Sequence, residues 1–433
     1  MNDHGELLGS GAPLRCASSF WGAVFLTTGN MVGVGLLALP VLLGLAGFGP
    51  GIVAILGVAA LVWSSGALLA ERVIIRHKPD ADLLSIYQAD LGPGIRVLVF
   101  PVYLFIFYAL QIAYLAGSAS TLHELLHTPV PLKAWMLLVA IIAVSGVVFG
   151  QTALLRWNGR IVLIMLALFI ILLAFSSSQV DIRLLSCSRW RVLPATLPVL
   201  CCAFAYHNVI PLVCRELQWN RRAVHLSLST GLLLAVTMSV LWFGMVAGSL
   251  PLADVAGGPS ILAAYEKGLP ATVPLTELLG RPAIGIMGLL FSLLAILTSY
   301  WAIGGAMCSF LHDALPPLRG PWLFAATFLP PLVLAWLHPD IFLEMVGAVG
   351  GIGMIFLFGF LPVLAYLRGG AARSKWRKAV LSAILLLFLA IFVIEAGREL
   401  RLWSLDTEQG LVTTSRAKMV WRSTVLLIKK EHI

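Results

Sequence analysis

Long apolar segments, separated by short polar connections, run along most of the chain. Eleven of them reach or approach the roughly 20 residues that an α-helix needs to cross the hydrocarbon core of a bilayer. We therefore predict eleven membrane-spanning helices. They cover residues 19–46, 51–73, 97–120, 132–150, 160–178, 193–214, 224–248, 283–311, 322–337, 341–366 and 377–395.

The composition excludes a water-soluble protein. Hydrophobic residues make up 60% of the chain and charged residues only 11%, against roughly 25% charged residues in a typical soluble domain. The sequence therefore predicts an all-α polytopic membrane protein embedded in a lipid bilayer. The net charge of +9 does not indicate a nucleic-acid partner, because the basic residues lie in short connections between spans. The six cysteines lack metal-ligand spacing, and we expect no cofactor, metal site or disulfide framework.

Basic residues also predict the orientation. If the N-terminus is cytoplasmic, sixteen Lys and Arg residues lie in inside segments and six in outside loops. Positive charge favours the cytoplasmic side, so we expect a multi-pass protein of the bacterial inner membrane with its N-terminus inside. With eleven spans, the polar basic tail of residues 396–433 would then lie outside, against the same rule.

The first span contains an unusual cluster of glycines in the stretch TTGNMVGVGLLALP. Gly29, Gly33 and Gly35 fall within seven residues. In a membrane, such a cluster indicates either close helix packing or an unwound segment that lines a cavity.

A second interruption favours the unwound segment. The sixth span contains the stretch FAYHNVIP, in which His207 and Asn208 are polar and Pro211 lacks a backbone donor. Two interrupted spans in corresponding positions of two halves are typical of an inverted-repeat transporter. We predict one transmembrane domain over residues 1–395, with one repeat at about 19–178, a second at about 193–366 and an extra helix at about 377–395.

Four stretches resemble the bacterial hydroxy and aromatic amino acid permeases, the group that includes the tyrosine and tryptophan permeases. They are GNMVGVGLLALPVLLGLAGF (29–48), FAYHNVIPLVCRELQWNRRAV (204–224), LLAILTSYWAIGGAMCSFLHDAL (293–315) and FLPPLVLAWLHPDIFLEMVGAVGGIG (328–353). The resemblance covers essentially residues 18–395. It implies the five-plus-five helix fold of the amino acid–polyamine–cation superfamily with an eleventh helix, and import of aromatic amino acids with a coupling cation, generally the proton.

The chain departs from this family pattern at three places. Asn30 and Met31 occupy the first break, where the family mostly has small hydroxyl residues. Ser292 stands in the eighth span where relatives often carry an acidic residue, which puts proton coupling in question. The basic tail is not part of the pattern.

The breaks and the resemblance together identify candidate substrate contacts. Free backbone N–H groups at the start of a second half-helix bind an anion such as a carboxylate. Aromatic residues and Gln111 recur at helical spacing in the third span, on the faces 107/111/114 and 104/108/111. A pocket with aromatic walls and a few polar groups suits an aromatic ligand, although packing explains such stripes equally well. The predicted substrate-binding residues are Gly29, Asn30, Gly33, Val34, Gly35, Tyr108, Gln111, Phe204, Tyr206, His207, Asn208 and Tyr300.

A candidate ion site lies on the eighth span. Ala295, Thr298 and Ser299 share one helical face, and oxygen ligands suit a hard cation such as sodium. The resemblance to sodium-coupled members of the superfamily adds the carbonyls of Gly29 and Val32. The alternative is that these hydroxyls bond their own helix backbone.

The sequence thus predicts a symporter that imports an aromatic amino acid, with tyrosine the first choice. A tryptophan or a serine/threonine permease, and an amino acid exchanger, remain alternatives. A membrane enzyme would need clustered titratable residues inside the spans, and only His207 lies deep in one. A channel would more naturally contain rings of charge.

Overall fold

The computed structural model describes residues 12–76, 82–126, 129–148, 151–253, 258–280, 282–338, 345, 349–369 and 374–399. These residues are mainly helical and include one isolated antiparallel bridge between Gly47 and Ser188. The helices in chain order are α1 (Ala12–Met31), α2 (Val34–Gly44), α3 (Phe48–Arg76), α4 (Leu83–Leu91), α5 (Arg96–Leu126), α6 (Leu132–Val148), α7 (Gln151–Ser176), α8 (Leu197–Ala203), α9 (Ile210–Glu216), α10 (Arg221–Ser249), α11 (Ile261–Glu266), α12 (Thr272–Leu279), α13 (Pro282–Ala314), α14 (Pro321–Leu337), a π-helical segment (Val349–Phe360), α15 (Leu361–Arg368) and α16 (Lys375–Glu399).

The helices occupy the predicted spans. Among the described residues, seven segments are long and apolar enough to cross a membrane singly, and α1 with α2 forms an eighth across a bend of 43°. Shorter apolar helices lie at the predicted fourth, ninth and tenth spans. The all-α polytopic fold class is therefore confirmed. Part of the tenth span and residues 400–433 lie outside the described residues, and the repeat and tail boundaries stay predictions.

The first and sixth spans are interrupted, as the glycine, asparagine and proline positions predicted. Helix α1 ends at Met31 and α2 begins at Val34. In the sixth span α8 ends at Ala203, and α9 begins at Ile210 after a single 3₁₀ turn. Each break exposes backbone groups that a continuous helix would have paired.

The interrupted spans lie at the centre of the bundle. In its most apolar stretch the sixth span is 89% buried, whereas the fifth is 28% buried and the eleventh 22%. Helix α1 packs on α7, α10 and α13, and α2 packs on α8 and α10. The peripheral spans expose apolar side chains to the bilayer, so the polar breaks are shielded from lipid.

Candidate functional site

The break in the first span lies directly against the eighth span. A Cβ atom at Gly33 would lie 2.1 Å from Ser299 Oγ and 2.5 Å from Ser299 Cβ. No side chain fits in that space, so glycine is required for this approach of the chain to α13. Val34 and Gly35 begin α2 immediately afterwards.

The Ser299 hydroxyl connects the two spans through a hydrogen bond. It donates to the carbonyl of Gly29 at 2.8 Å, so two predicted ion-coupling residues do lie together. Thr298 instead donates to Ala295 O of its own helix at 3.0 Å, which is the backbone-bonding alternative. The N–H of Val32 donates to Thr28 O at 2.9 Å. These contacts do not test cation binding, and the ion site stays a prediction.

The break in the sixth span has a local cause. Pro211 lies in the first turn of α9, where a helix does not need the missing N–H. Before it, residues His207–Val209 form the 3₁₀ turn. The sequence FAYHNVIP therefore ends one helix and starts another within the span.

The two breaks meet through a reciprocal pair of side-chain amides. Asn30 Nδ2 donates to Asn208 Oδ1 at 3.1 Å, and Asn208 Nδ2 donates to Asn30 Oδ1 at 3.0 Å. Asn30 Nδ2 also donates to the carbonyl of Ala205 at 2.9 Å. Both asparagines are buried, so this pair joins the unwound segments inside the bundle.

A small cavity adjoins the amide pair. Its volume is about 20 Å³, which holds water but not an amino acid. Entry of a larger ligand therefore requires the lining side chains to move apart. The lining includes Asn30, Met31, Phe107, Leu110, Tyr114, Cys202, Ala205, Asn208, Ile303 and Met354.

Helix α5 contributes to this cavity from one of its two candidate faces. Phe107 and Tyr114 line the cavity, and the Tyr114 hydroxyl is within hydrogen-bonding reach of Ser299. Gln111 lies between them in sequence, fully buried, and neither atom of its amide has a partner among the described residues. Tyr108 faces away, donating its hydroxyl to the carbonyl of Ala326 on α14.

Two other predicted substrate contacts, Tyr300 and His207, lie outside the cavity lining. The Tyr300 ring lies 6.2 Å from that of Tyr114, outside the cavity lining. His207 bonds Ser65 Oγ on α3 at 2.9 Å and stacks on Phe358 at 4.9 Å.

The two aromatic residues that flank Ala205 are also directed away from the cavity or enclosed by the core. The Tyr206 ring lies so close to Gly66 of α3 that a Cβ there would be 2.3 Å from its hydroxyl. Phe204 is fully buried in the core. Of Tyr206 and Asn208, it is Asn208 that lines the cavity.

A second cavity, of about 30 Å³, lies on the other side of Asn208. Asp82, Arg215, Trp301 and Ser309 are among its lining residues. Asp82 precedes α4, in the connection between the second and third spans, and is 3% exposed. Asn208 therefore lines both cavities.

The sequence did not identify Asp82, and Tyr114 was not among the predicted substrate-binding residues. Asp82 looks like an ordinary helix-capping residue in a polar loop, and nothing local indicates its burial. Tyr114 lay on the predicted 107/111/114 face, which was one of two equally periodic faces. The periodicity alone could not choose the face that meets α13.

Two interrupted spans that meet around a closed cavity, inside an all-α polytopic bundle, define a membrane transporter. Solved transporters share this fold. The crystal structure of MhsT in complex with L-phenylalanine matches with a TM-score of 0.64 at 13% identity, covering 86% of this chain and 97% of that one. The Eremococcus coleocola manganese transporter matches with a TM-score of 0.63 at 13% identity, covering 96% and 94%.

The chain belongs to the tryptophan/tyrosine permease family, whose model matches residues 16–397. It is 28% identical over 396 residues to Tyrosine-specific transport system 1 of Haemophilus influenzae, covering 87% of this chain and 97% of that relative. It is 27% identical over 356 residues to a Tryptophan-specific transport protein of Pseudomonas aeruginosa, covering 77% and 82%. The resemblance drawn from the four sequence stretches is confirmed.

Proposed function

We propose that this protein is a secondary active transporter that imports an aromatic amino acid, tyrosine in the first place, together with a proton. One observation carries the proposal: the amides of Asn30 and Asn208 join both unwound segments beside a cavity with aromatic walls. The match to the relative named as tyrosine-specific covers 97% of that relative's length, which supports tyrosine over tryptophan.

The site has groups suited to the carboxylate and to the ring of an aromatic amino acid. The N–H groups at the start of α2, next to Gly33, carry the positive end of a helix dipole and suit the carboxylate. Phe107 and Tyr114 supply apolar and aromatic surface for the ring. The Gln111 amide, buried without a partner among the described residues, supplies a polar contact in the same region.

Hydroxyl directions around Ser299 favour the proton over sodium. A sodium ion needs several oxygens directed at one point. Here the Ser299 and Thr298 hydroxyls donate to the carbonyls of two different residues, Gly29 and Ala295, so the two hydroxyls are not directed at one shared point.

Membrane placement follows from charge and family. The Lys and Arg bias supports a cytoplasmic position for the N-terminus and α4 in a bacterial inner membrane. Labelling of single cysteines introduced at Lys267 and at Arg319 tests this orientation. Reaction with an impermeant reagent added to intact cells is expected at position 267 and not at position 319.

Uptake of labelled tyrosine into proteoliposomes tests the function. A proton gradient and a sodium gradient are imposed separately, and unlabelled tryptophan, phenylalanine, serine and threonine compete. Accumulation driven by the proton gradient and blocked by aromatic competitors supports the proposal. Accumulation driven only by sodium, strict exchange without a gradient, or competition by serine alone would each replace it with the corresponding alternative.

A further inference from the structure

The cavity on the α4 side of Asn208 contains a buried carboxylate that the substrate site does not use. Asp82 Oδ1 accepts a hydrogen bond from the N–H of Leu83 at 2.6 Å, and Ser309 of α13 is within hydrogen-bonding reach. Asn208 lines both cavities, so the cavity that contains Asp82 and the candidate substrate cavity share this residue.

Charged and titratable groups surround Asp82 on every packed element. Arg215 on α9 and Asp313 on α13 act on it through charge, and the buried Tyr103 of α5 lies within range of its charge. On α4 itself Tyr87 donates its hydroxyl to Leu357 O. The arginines of α3 are engaged by Asp90 at the far end of α4.

These surroundings act on the pKa of the Asp82 carboxyl in opposite directions. Burial raises the pKa of the Asp82 carboxyl, whereas the hydrogen bonds from Ser309 and Leu83 and the charge of Arg215 lower that pKa; the pKa remains above its ordinary value. A carboxyl group in such a balance changes its protonation state when its surroundings open or close.

We propose that Asp82 is the binding site for the coupled proton, on the geometry of a buried carboxylate that shares a cavity with Asn208 and Arg215. This inference rests on the proposed function of proton-coupled import.

The step is a simple protonation. A proton arriving through the substrate cavity converts the Asp82 carboxylate to the neutral acid, and the charge attraction to Arg215 of α9 is lost. The contact between α4 and the inner half of the sixth span is thereby weakened, and that side opens. Water then reaches the acid, the proton leaves, and the restored carboxylate attracts Arg215 again.

Asp82→Asn tests the proposal in proteoliposomes that contain a trapped pH dye. The variant should retain counterflow, in which labelled tyrosine exchanges for internal tyrosine without net proton movement. It should lose both accumulation driven by a proton gradient and acidification of the lumen on tyrosine addition. The matched control is Asp181→Asn, an exposed carboxylate that accepts the N–H of Arg183 and lies outside the cavity lining, and it should keep all three activities.

Ser309→Ala provides an independent test that keeps the carboxylate. Loss of this hydrogen bond removes a contact that lowers the pKa, so the pH dependence of counterflow should move toward higher pH. This variant decides the question if Asp82→Asn does not fold.

Two results would overturn the proposal: tyrosine-dependent acidification that persists in Asp82→Asn, or an unmoved pH profile in Ser309→Ala. Absence of counterflow with every aromatic amino acid in the unaltered protein would instead refute the proposed substrate, so the two failures are distinguishable.

Discussion

Asn30 and Asn208, one from each interrupted span, exchange two hydrogen bonds of 3.1 Å and 3.0 Å inside the bundle. Each side chain lies where its own helix stops. The pair therefore joins the two interrupted segments to each other. Asn208 also lines both cavities.

Removing one amide leaves the other buried without its partner. We expect Asn30→Ala and Asn208→Ala each to lower the free energy of unfolding by about 1–3 kcal/mol and to reduce uptake. The double variant should be less destabilised than the sum of the two, because it no longer contains an unpaired amide. Thermal unfolding of the four proteins in detergent measures this coupling, and strict additivity would mean that the pair contributes nothing jointly.

Gly33→Ala should abolish uptake. The added Cβ would lie 2.1 Å from Ser299 Oγ, and α2 or α13 must shift to relieve the overlap, at a cost of about 1–3 kcal/mol. Ser299→Ala should not rescue it, because Ser299 Cβ is itself 2.5 Å away. The control is Gly22→Ala in α1, where nothing lies within 4 Å; normal uptake by Gly33→Ala would refute the close contact.

Gln111→Leu should separate stability from transport. Replacing a buried amide that has no partner among the described residues with an apolar side chain of similar size should raise stability by about 1–2 kcal/mol. The same change removes a polar group next to the cavity and should eliminate uptake. Differential scanning fluorimetry and tyrosine uptake measure the two effects, with the exposed Gln179→Leu as control. A Gln111→Leu protein that transports normally would show that this amide does not serve the substrate.

Acid should weaken the ion pairs between the arginines of α3 and Asp90 of α4. Burial raises the pKa of Asp90, but the hydrogen bonds and charges of Arg72 and Arg76 outweigh it, and the pKa is lowered. Because the folded pKa lies below the unfolded value of about 4, this stabilisation is present above that value and is lost as the pH falls through the folded pKa.

Asp90→Asn should therefore be less stable than the unaltered protein at neutral pH, by about 3 kcal/mol, because it leaves the buried Arg72 charge unpaired. The difference should shrink in acid. Unfolding temperatures over a pH series measure it, and the exposed Asp181→Asn should follow the unaltered protein throughout. A constant difference at all pH values would contradict the sign of this pKa shift.

The sequence predicted the positions of the breaks because their causes are local. Polar and helix-weakening residues cluster at both interruptions, whereas single prolines such as Pro40 and Pro101 lie inside continuous helices. The predicted spans follow from apolar length alone. Family resemblance then gave the class of fold.

The side-chain partners could not be predicted in the same way. Asn30 and Asn208 are far apart in the chain, and their pairing depends on how two broken helices cross. The packing of α5 on α13 and α14 directs Tyr114 inward and Tyr108 outward, although both lie on periodic faces. Asp82 is buried where α4 packs on α13 and α15, which no local pattern indicates.

The bridge between Gly47 and Ser188 has a mechanical consequence. Gly47 has a φ of +90°, and a Cβ there would lie 2.1 Å from the carbonyl of Cys187, while Arg189 N–H donates to Ala46 O at 2.7 Å. The far end of α2 is thus joined by main-chain contacts to the polypeptide that leads into α8. A displacement of α2 would therefore break these main-chain contacts unless the segment that leads into α8 moved with it.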